Sequence, residues 1–124
     1  MSEIELYVHP TCTSCRKAQA WLDEHDVPYA RRDYFRDRFT RDELAAVLAS
    51  ANLTPRDVLS KRAKAYKALV GDRELTDDQL LDLMIQEPTL LRRPLLISAG
   101  NAVIGFDRAG LENVAGSTRP VAGR

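Results

Sequence analysis

The sequence has no net charge: 18 Lys and Arg balance 18 Asp and Glu, which leaves no overall basic field to draw the chain onto nucleic acid. No apolar run approaches the roughly 20 residues of a membrane span. The start, Met1-Ser2-Glu3-Ile4, lacks the charged segment and apolar stretch of a secretory leader. A soluble, cytoplasmic protein is therefore expected, with no membrane contact and no direct nucleic-acid binding. Histidine is scarce too, His9 and His25 being the only two, and with two cysteines they make a poor set for the four ligands of a structural zinc site. No metal and no bound cofactor are expected. Internal repeats and low-complexity runs are absent, and 124 residues suffice for one core, so the chain is expected to be a single domain acting as a monomer.

What is present is a pair of thiols. Cys12 and Cys15 stand in His9-Pro10-Thr11-Cys12-Thr13-Ser14-Cys15-Arg16-Lys17, after a strand-like segment and at the opening of a helical pattern, the context of a thiol redox site. A helix N-terminus presents unpaired N–H groups and about half a positive charge, which favours a thiolate over a thiol. Arg16 and Lys17 add positive charge nearby. Cys12, the more N-terminal thiol, is the expected nucleophile, and Cys15, one turn inside the helix, the resolving partner. A static disulfide fits poorly with a chain that shows no secretory leader. An inert pair packed as small hydrophobes stays open from these residues alone.

Ile4, Leu6 and Val8 alternate with Glu5 and Tyr7, which predicts a strand with one buried face. Ala18, Trp21 and Leu22 follow at helical spacing before Pro28, and residues 27–33 read as a second strand, parallel to the first through a right-handed crossover. Thr40-Arg41-Asp42-Glu43 and Thr76-Asp77-Asp78-Gln79 are capping boxes, and Thr54-Pro55 sets a capping hydroxyl before a proline, so residues 40–86 read as a helical block. Residues 90–97 lead into a strand, Gly100-Asn101 marks a hairpin turn, and residues 102–105 form the return strand. A short helix over 107–114 and a flexible tail over 117–124 complete the chain. Lys61, Lys64 and Lys67 read as a solvated helix face, and His9 as a surface histidine.

This order of elements resembles a thioredoxin-like fold with helices inserted in its middle. The expected class is α/β: a βαβ unit plus a C-terminal β-hairpin and helix in a mixed sheet, over 1–38 and 90–116, with a helical insertion at 39–89, all within a single domain spanning 1–124. Three stretches, Cys12-Thr13-Ser14-Cys15-Arg16-Lys17-Ala18, Leu90-Leu91-Arg92-Arg93-Pro94-Leu95-Leu96-Ile97 and Ile104-Gly105-Phe106, resemble the arsenate-reductase-like family, which includes ArsC enzymes and the Spx transcriptional regulators. The resemblance implies a cis Arg93-Pro94 bond lying against Cys12. It also implies catalytic roles for Cys12, Cys15 and Arg93, and substrate binding by Arg62, Arg93 and Pro94. Fixed guanidinium groups suit this chemistry, because a thiolate must be brought up to an anion whose charge has to be neutralised. Arg62 is offset from an arginine of the reductases and coincides with one of the regulators, while a further reductase arginine falls near Phe106.

The implied activity is that of a thiol-dependent reductase acting on an oxyanion or a disulfide. The implied external reductant is glutathione with glutaredoxin, thioredoxin or another low-molecular-weight thiol. The family also implies an alternative, a redox-sensing regulator whose partner is the C-terminal domain of the RNA polymerase α subunit. The reductases typically lack a second cysteine at the place of Cys15, whereas the regulators carry the pair as a disulfide switch. The turn Asn52-Leu53-Thr54-Pro55 lacks a glycine that the regulators carry.

Overall fold

Alternation of apolar and polar residues extends the chain over Ile4–Val8 as β1. The computed structural model describes residues 4–98 and 100–118, with side chains through 115. The alternation predicts one buried face, yet Tyr7, on the opposite face, is also buried and packs on Phe39 with ring centroids 5.2 Å apart. The reason is position in the sheet. β1 is an inner strand, parallel to β2 (Ala30–Asp33) and antiparallel to β3 (Leu95–Ser98), and β3 pairs antiparallel with β4 (Asn101–Ile104). The order is β2-β1-β3-β4, a mixed sheet with helices on both faces.

Helix α1 (Thr13–Glu24) crosses from β1 to β2 and buries Cys15, Ala18, Trp21 and Leu22. With α5 (Arg108–Thr118) it covers the face of the sheet that carries Ile4, Leu6, Val8, Leu96 and Val103. The second strand begins later than residue 27 because Val27 is still engaged in ending α1. Asp26 takes a left-handed φ of 55°, its N–H reaches the Asp23 carbonyl at 3.2 Å, and Val27 N–H reaches that of Leu22 at 2.9 Å. That is a Schellman closure with aspartate where glycine is usual.

The other face is covered by α2 (Arg41–Ser50), the short α3 (Lys64–Leu69) and α4 (Asp77–Gln86), whose buried residues join Tyr7, Tyr34, Phe39, Leu95 and Ile97. Thr54-Pro55 starts only a single turn of 3-10 helix, Pro55–Val58, and a second such turn spans Pro88–Leu90. α2 ends as α1 does, with Asn52 at φ 56° and Leu53 N–H on the Leu48 carbonyl at 2.9 Å. Two short segments then meet. Leu59 and Leu91 form an antiparallel bridge, flanked by bonds from Ser60 N–H to the Leu90 carbonyl (2.7 Å) and from Arg92 N–H to the Val58 carbonyl (2.8 Å).

Both capping boxes form. At α4, Thr76 Oγ1 accepts from Gln79 N–H at 3.2 Å, and Gln79 Oε1 accepts from Thr76 N–H at 2.8 Å. Thr76→Ala removes half of this exchange and is expected to lower stability by about 1 kcal/mol. Urea denaturation checks it: the midpoint should fall with the slope unchanged.

The hairpin turn of β3 and β4 uses Gly100 at φ 86°, a conformation that an L side chain strains. The return strand starts at Asn101, directly paired with Ser98. The last helix is longer than 107–114, so positions 117 and 118 are helical; the rest of the expected tail, 119–124, lies outside the described residues. No helix among the described residues is long and apolar enough to cross a membrane.

Candidate functional site

The chain leaves β1 at Val8, turns through His9 and Pro10, and enters α1 with Cys12 as its N-cap at φ −79°, ψ 120°. N-caps are ordinarily oxygen-bearing residues, because the position asks for a side-chain acceptor. Here sulfur fills that role: Cys12 Sγ accepts from the Cys15 N–H at 3.2 Å. The helix geometry thus holds Cys12 Sγ at the positive end of α1. Cys12 is partly exposed and Cys15 fully buried, and the two are not joined by a disulfide.

Burial pushes the Cys15 thiol up from an ordinary value of 9.0 to about 12, and its hydrogen bond to Cys12 pushes in the same direction. The backbone of His9 and the charge of Arg93 oppose the rise. Cys15 therefore keeps its proton at neutral pH, beside a more accessible partner. Tyr7 and Tyr34 are also held above the usual phenol range, chiefly by burial. All three groups hold their protons more tightly when folded. Their stabilisation is complete below the unfolded value and is lost as pH rises through the folded one. Stability is therefore expected to fall from about pH 9 upward, and Cys15→Ser to flatten the first part of that fall, before the tyrosines titrate; denaturant midpoints across pH 8–11 check both.

The Arg93-Pro94 peptide is cis. Pro94 is buried and its carbonyl accepts from Gly105 N–H at 2.8 Å, which ties it to the residue after β4. The Arg93 guanidinium lies 5.5 Å from the Phe35 ring centroid, and its Nε is buried without a hydrogen-bond partner. Its charge acts downward on Cys15, His9 and Tyr34 alike, so it stands among the groups at the head of α1. Tyr34 in turn donates its hydroxyl proton to the Leu91 carbonyl at 3.1 Å.

Cys12, Arg62 and Arg93 line one open cleft of about 920 Å³. Arg62 is exposed there, on the segment leading into α3. The cleft also gathers Arg56, Lys61, Lys64 and Arg92, which sequence reasoning does not place at the site. Lys61 and Lys64 have the signature of a solvated face, and they are exposed, but the surface they form faces the cysteine. The signal that could find them is charge: 56–64 carries Arg56, Lys61, Arg62 and Lys64 against Asp57 alone.

Arg16 and Lys17 do not line this cleft; Arg16 turns away to the Pro10 carbonyl at 3.4 Å. His9 is a partly exposed surface histidine, held by its neighbours. Its ring meets Phe35 edge-on at 4.1 Å and its Nδ1 accepts from Thr11 N–H at 3.1 Å, while burial, then Arg93, hold its pKa below the usual value. Among the described residues no group of three or more His, Cys, Asp or Glu could hold a metal.

Comparison with known proteins gives a consistent neighbourhood. The model of the ArsC family matches residues 7–114. The global transcriptional regulator Spx 1 of Lactococcus lactis is 39% identical over 105 residues, covering 84% of this chain and 82% of that protein. The regulator Spx of Streptococcus pneumoniae is 41% identical over 105 residues, covering 84% and 79%. Among solved structures, an ArsC family related protein from Bacteroides fragilis superposes with a TM-score of 0.78 at 25% identity, covering 92% of this chain and 99% of that one. The arsenate reductase from Vibrio cholerae superposes at 0.75 with 26% identity, covering 90% and 93%.

Proposed function

The chain belongs to the ArsC family, and on that premise we propose that it is a thiol-dependent reductase in which Cys12 attacks an oxidised substrate and Cys15 resolves the adduct. The observation that carries this reading is the asymmetry of the pair: Cys12 is partly exposed and its Sγ accepts from the Cys15 N–H, while the buried Cys15 thiol keeps its proton. With a disulfide substrate, the Cys12 thiolate forms a bond to one sulfur and expels the other as thiolate. Cys15 then yields its proton to solvent, attacks Cys12 Sγ and expels the second substrate sulfur. The substrate gains two electrons and the protein is left with a Cys12–Cys15 disulfide, which glutathione with glutaredoxin, thioredoxin or another low-molecular-weight thiol reduces. Burial is the main reason that Cys15 holds its proton; contact with Cys12 adds to it, and that smaller contribution weakens once the Cys12 sulfur is bonded to substrate.

Arsenate is the alternative oxidised substrate. Sulfur would displace water from it, and attack of Cys15 on Cys12 would leave the electron pair on arsenic. Arg93 and Arg62 are the candidate anion-binding groups, both lining the cleft with Cys12; Pro94, expected beside them in substrate binding, is buried and is not among the residues that line it. Steady-state turnover of arsenate and of a disulfide, each with a panel of thiol donors, tests the proposal: donor-dependent reduction of one of them is expected, and none with any donor would overturn it.

A second reading is favoured by a specific observation, the 38–41% identity to Spx regulators. In it the same dithiol is a sensor, and the partner is the C-terminal domain of the RNA polymerase α subunit. Co-purification with that domain decides the matter, with retention that differs between reduced and oxidised protein supporting the sensor and none in either state removing it.

A further inference from the structure

Six cationic side chains, Arg56, Lys61, Arg62, Lys64, Arg92 and Arg93, line the cleft that opens on Cys12, against the single acid Asp57. In a chain whose 18 cations balance 18 anions, this is a local concentration of one sign. It is also left uncompensated. The ion pairs among the described residues belong to Arg32 and Arg41, and Asp57 accepts from the Thr54 N–H at 2.8 Å in its own helix cap. Arg56 gives Nη2 to the Leu75 carbonyl at 2.7 Å, but among the described residues Lys61, Arg62, Lys64 and Arg92 form no ion pair.

Size is the second observation. A cleft of about 920 Å³ lies near the top of the range of roughly 300–1,000 Å³ typical of small-molecule sites, far more than one tetrahedral oxyanion fills. Ile104 and Phe106 add an apolar wall against which alkyl groups can lie.

Resting on the reading of Cys12 as the attacking thiol, we propose that the substrate class is a low-molecular-weight disulfide bearing at least two carboxylates. Lys61, Arg62, Lys64 and Arg92 take the charges, Ile104 and Phe106 take the carbon chain, and the substrate sulfur meets Cys12 Sγ. One turnover joins Cys12 to one half of the substrate and releases the other half as thiolate. Attack by Cys15, whose proton passes to water, releases the second half and closes the protein disulfide. The cations act by concentrating the dianion at the thiol, an effect that salt screens.

The test uses the full chain, reduced, in single turnover with three disulfides of similar size: dianionic 3,3′-dithiodipropionate, neutral bis(2-hydroxyethyl) disulfide and dicationic cystamine. Formation of the Cys12–Cys15 disulfide is followed by mass spectrometry, and each rate is divided by that of dithiothreitol with the same disulfide. The dianion is expected to react about 10-fold faster than the neutral compound and cystamine more slowly than either, with the spread collapsing in 1 M salt. Lys61→Glu combined with Lys64→Glu should lower the ratio of dianionic to neutral rates, and the wild-type series decides the matter if that variant does not fold. Equal normalised rates, or a spread indifferent to salt, would overturn the charge assignment while leaving the dithiol chemistry in place. Failure of all three to produce the protein disulfide would overturn the dithiol reading and this one with it.

Discussion

Cys12→Ser is expected to abolish reduction, lowering turnover by more than about 10³-fold, because it removes the nucleophile and leaves a hydroxyl that is not ionised at neutral pH. The loss should be chemical rather than structural. Serine is a preferred N-cap, and its Oγ can take the Cys15 N–H that Cys12 Sγ now accepts at 3.2 Å, so α1 keeps its cap and the variant should unfold no earlier than the parent. Cys15→Ser should fail differently. The first attack still occurs, and the substrate half stays on Cys12 as a mixed disulfide that mass spectrometry detects, unless the external thiol releases it. Full turnover by Cys12→Ser together with loss in Cys15→Ser would reverse the two roles.

The second large effect is on stability. Leu6 lies on the inner strand β1, fully buried, opposite Leu96 on β3 and in the cluster that contains Cys15, Trp21 and Leu22. Leu6→Ala is expected to cost about 2–5 kcal/mol, the lost transfer energy plus a cavity that flanking strands cannot close. Domains of this kind are stable by about 5–15 kcal/mol in all, so the variant should stand near the edge of folding at 37 °C. Chemical denaturation measures it, and a loss under about 1 kcal/mol would contradict the placement of Leu6 at the centre of this face. Because Cys15 shares that cluster, its reaction with a thiol reagent should also quicken as local opening becomes easier.

Signals that depend on neighbours a few residues away are legible in the sequence. The alternation of β1, the boxes at Thr40 and Thr76 and the turn at Gly100 are of this kind, and each forms at its place. Burial of Tyr7 is not, since it depends on which helices come to lie over the second face of β1. The end of α1 is hard to read for another reason. Pro28 is the conspicuous stop signal, whereas Asp26 in the left-handed conformation closes the helix and delays β2 to Ala30.

The candidate site divides in the same way. Cys12 and Cys15 announce themselves by spacing, whereas Arg93 is reached only through the family resemblance of the stretch around Arg93-Pro94. The cations at 56–64 look like ordinary solvent-facing residues until the Leu59 and Leu91 bridge sets them beside Arg92 and Arg93.

That bridge has a consequence for how the chain tolerates change. Its flanking bonds, from Ser60 to Leu90 and from Arg92 to Val58, tie together two points of the backbone and turn what lies between into a closed excursion that begins and ends at the same place. Residues gained or lost at the exposed stretch 72–74 are expected to leave in place the bridge beside which Arg62 and Arg93 line the cleft. The cysteine pair is likewise insulated from such length changes, since it hangs from β1 and α1 outside the loop. Chemistry and length variation are thereby assigned to separate parts of one small protein.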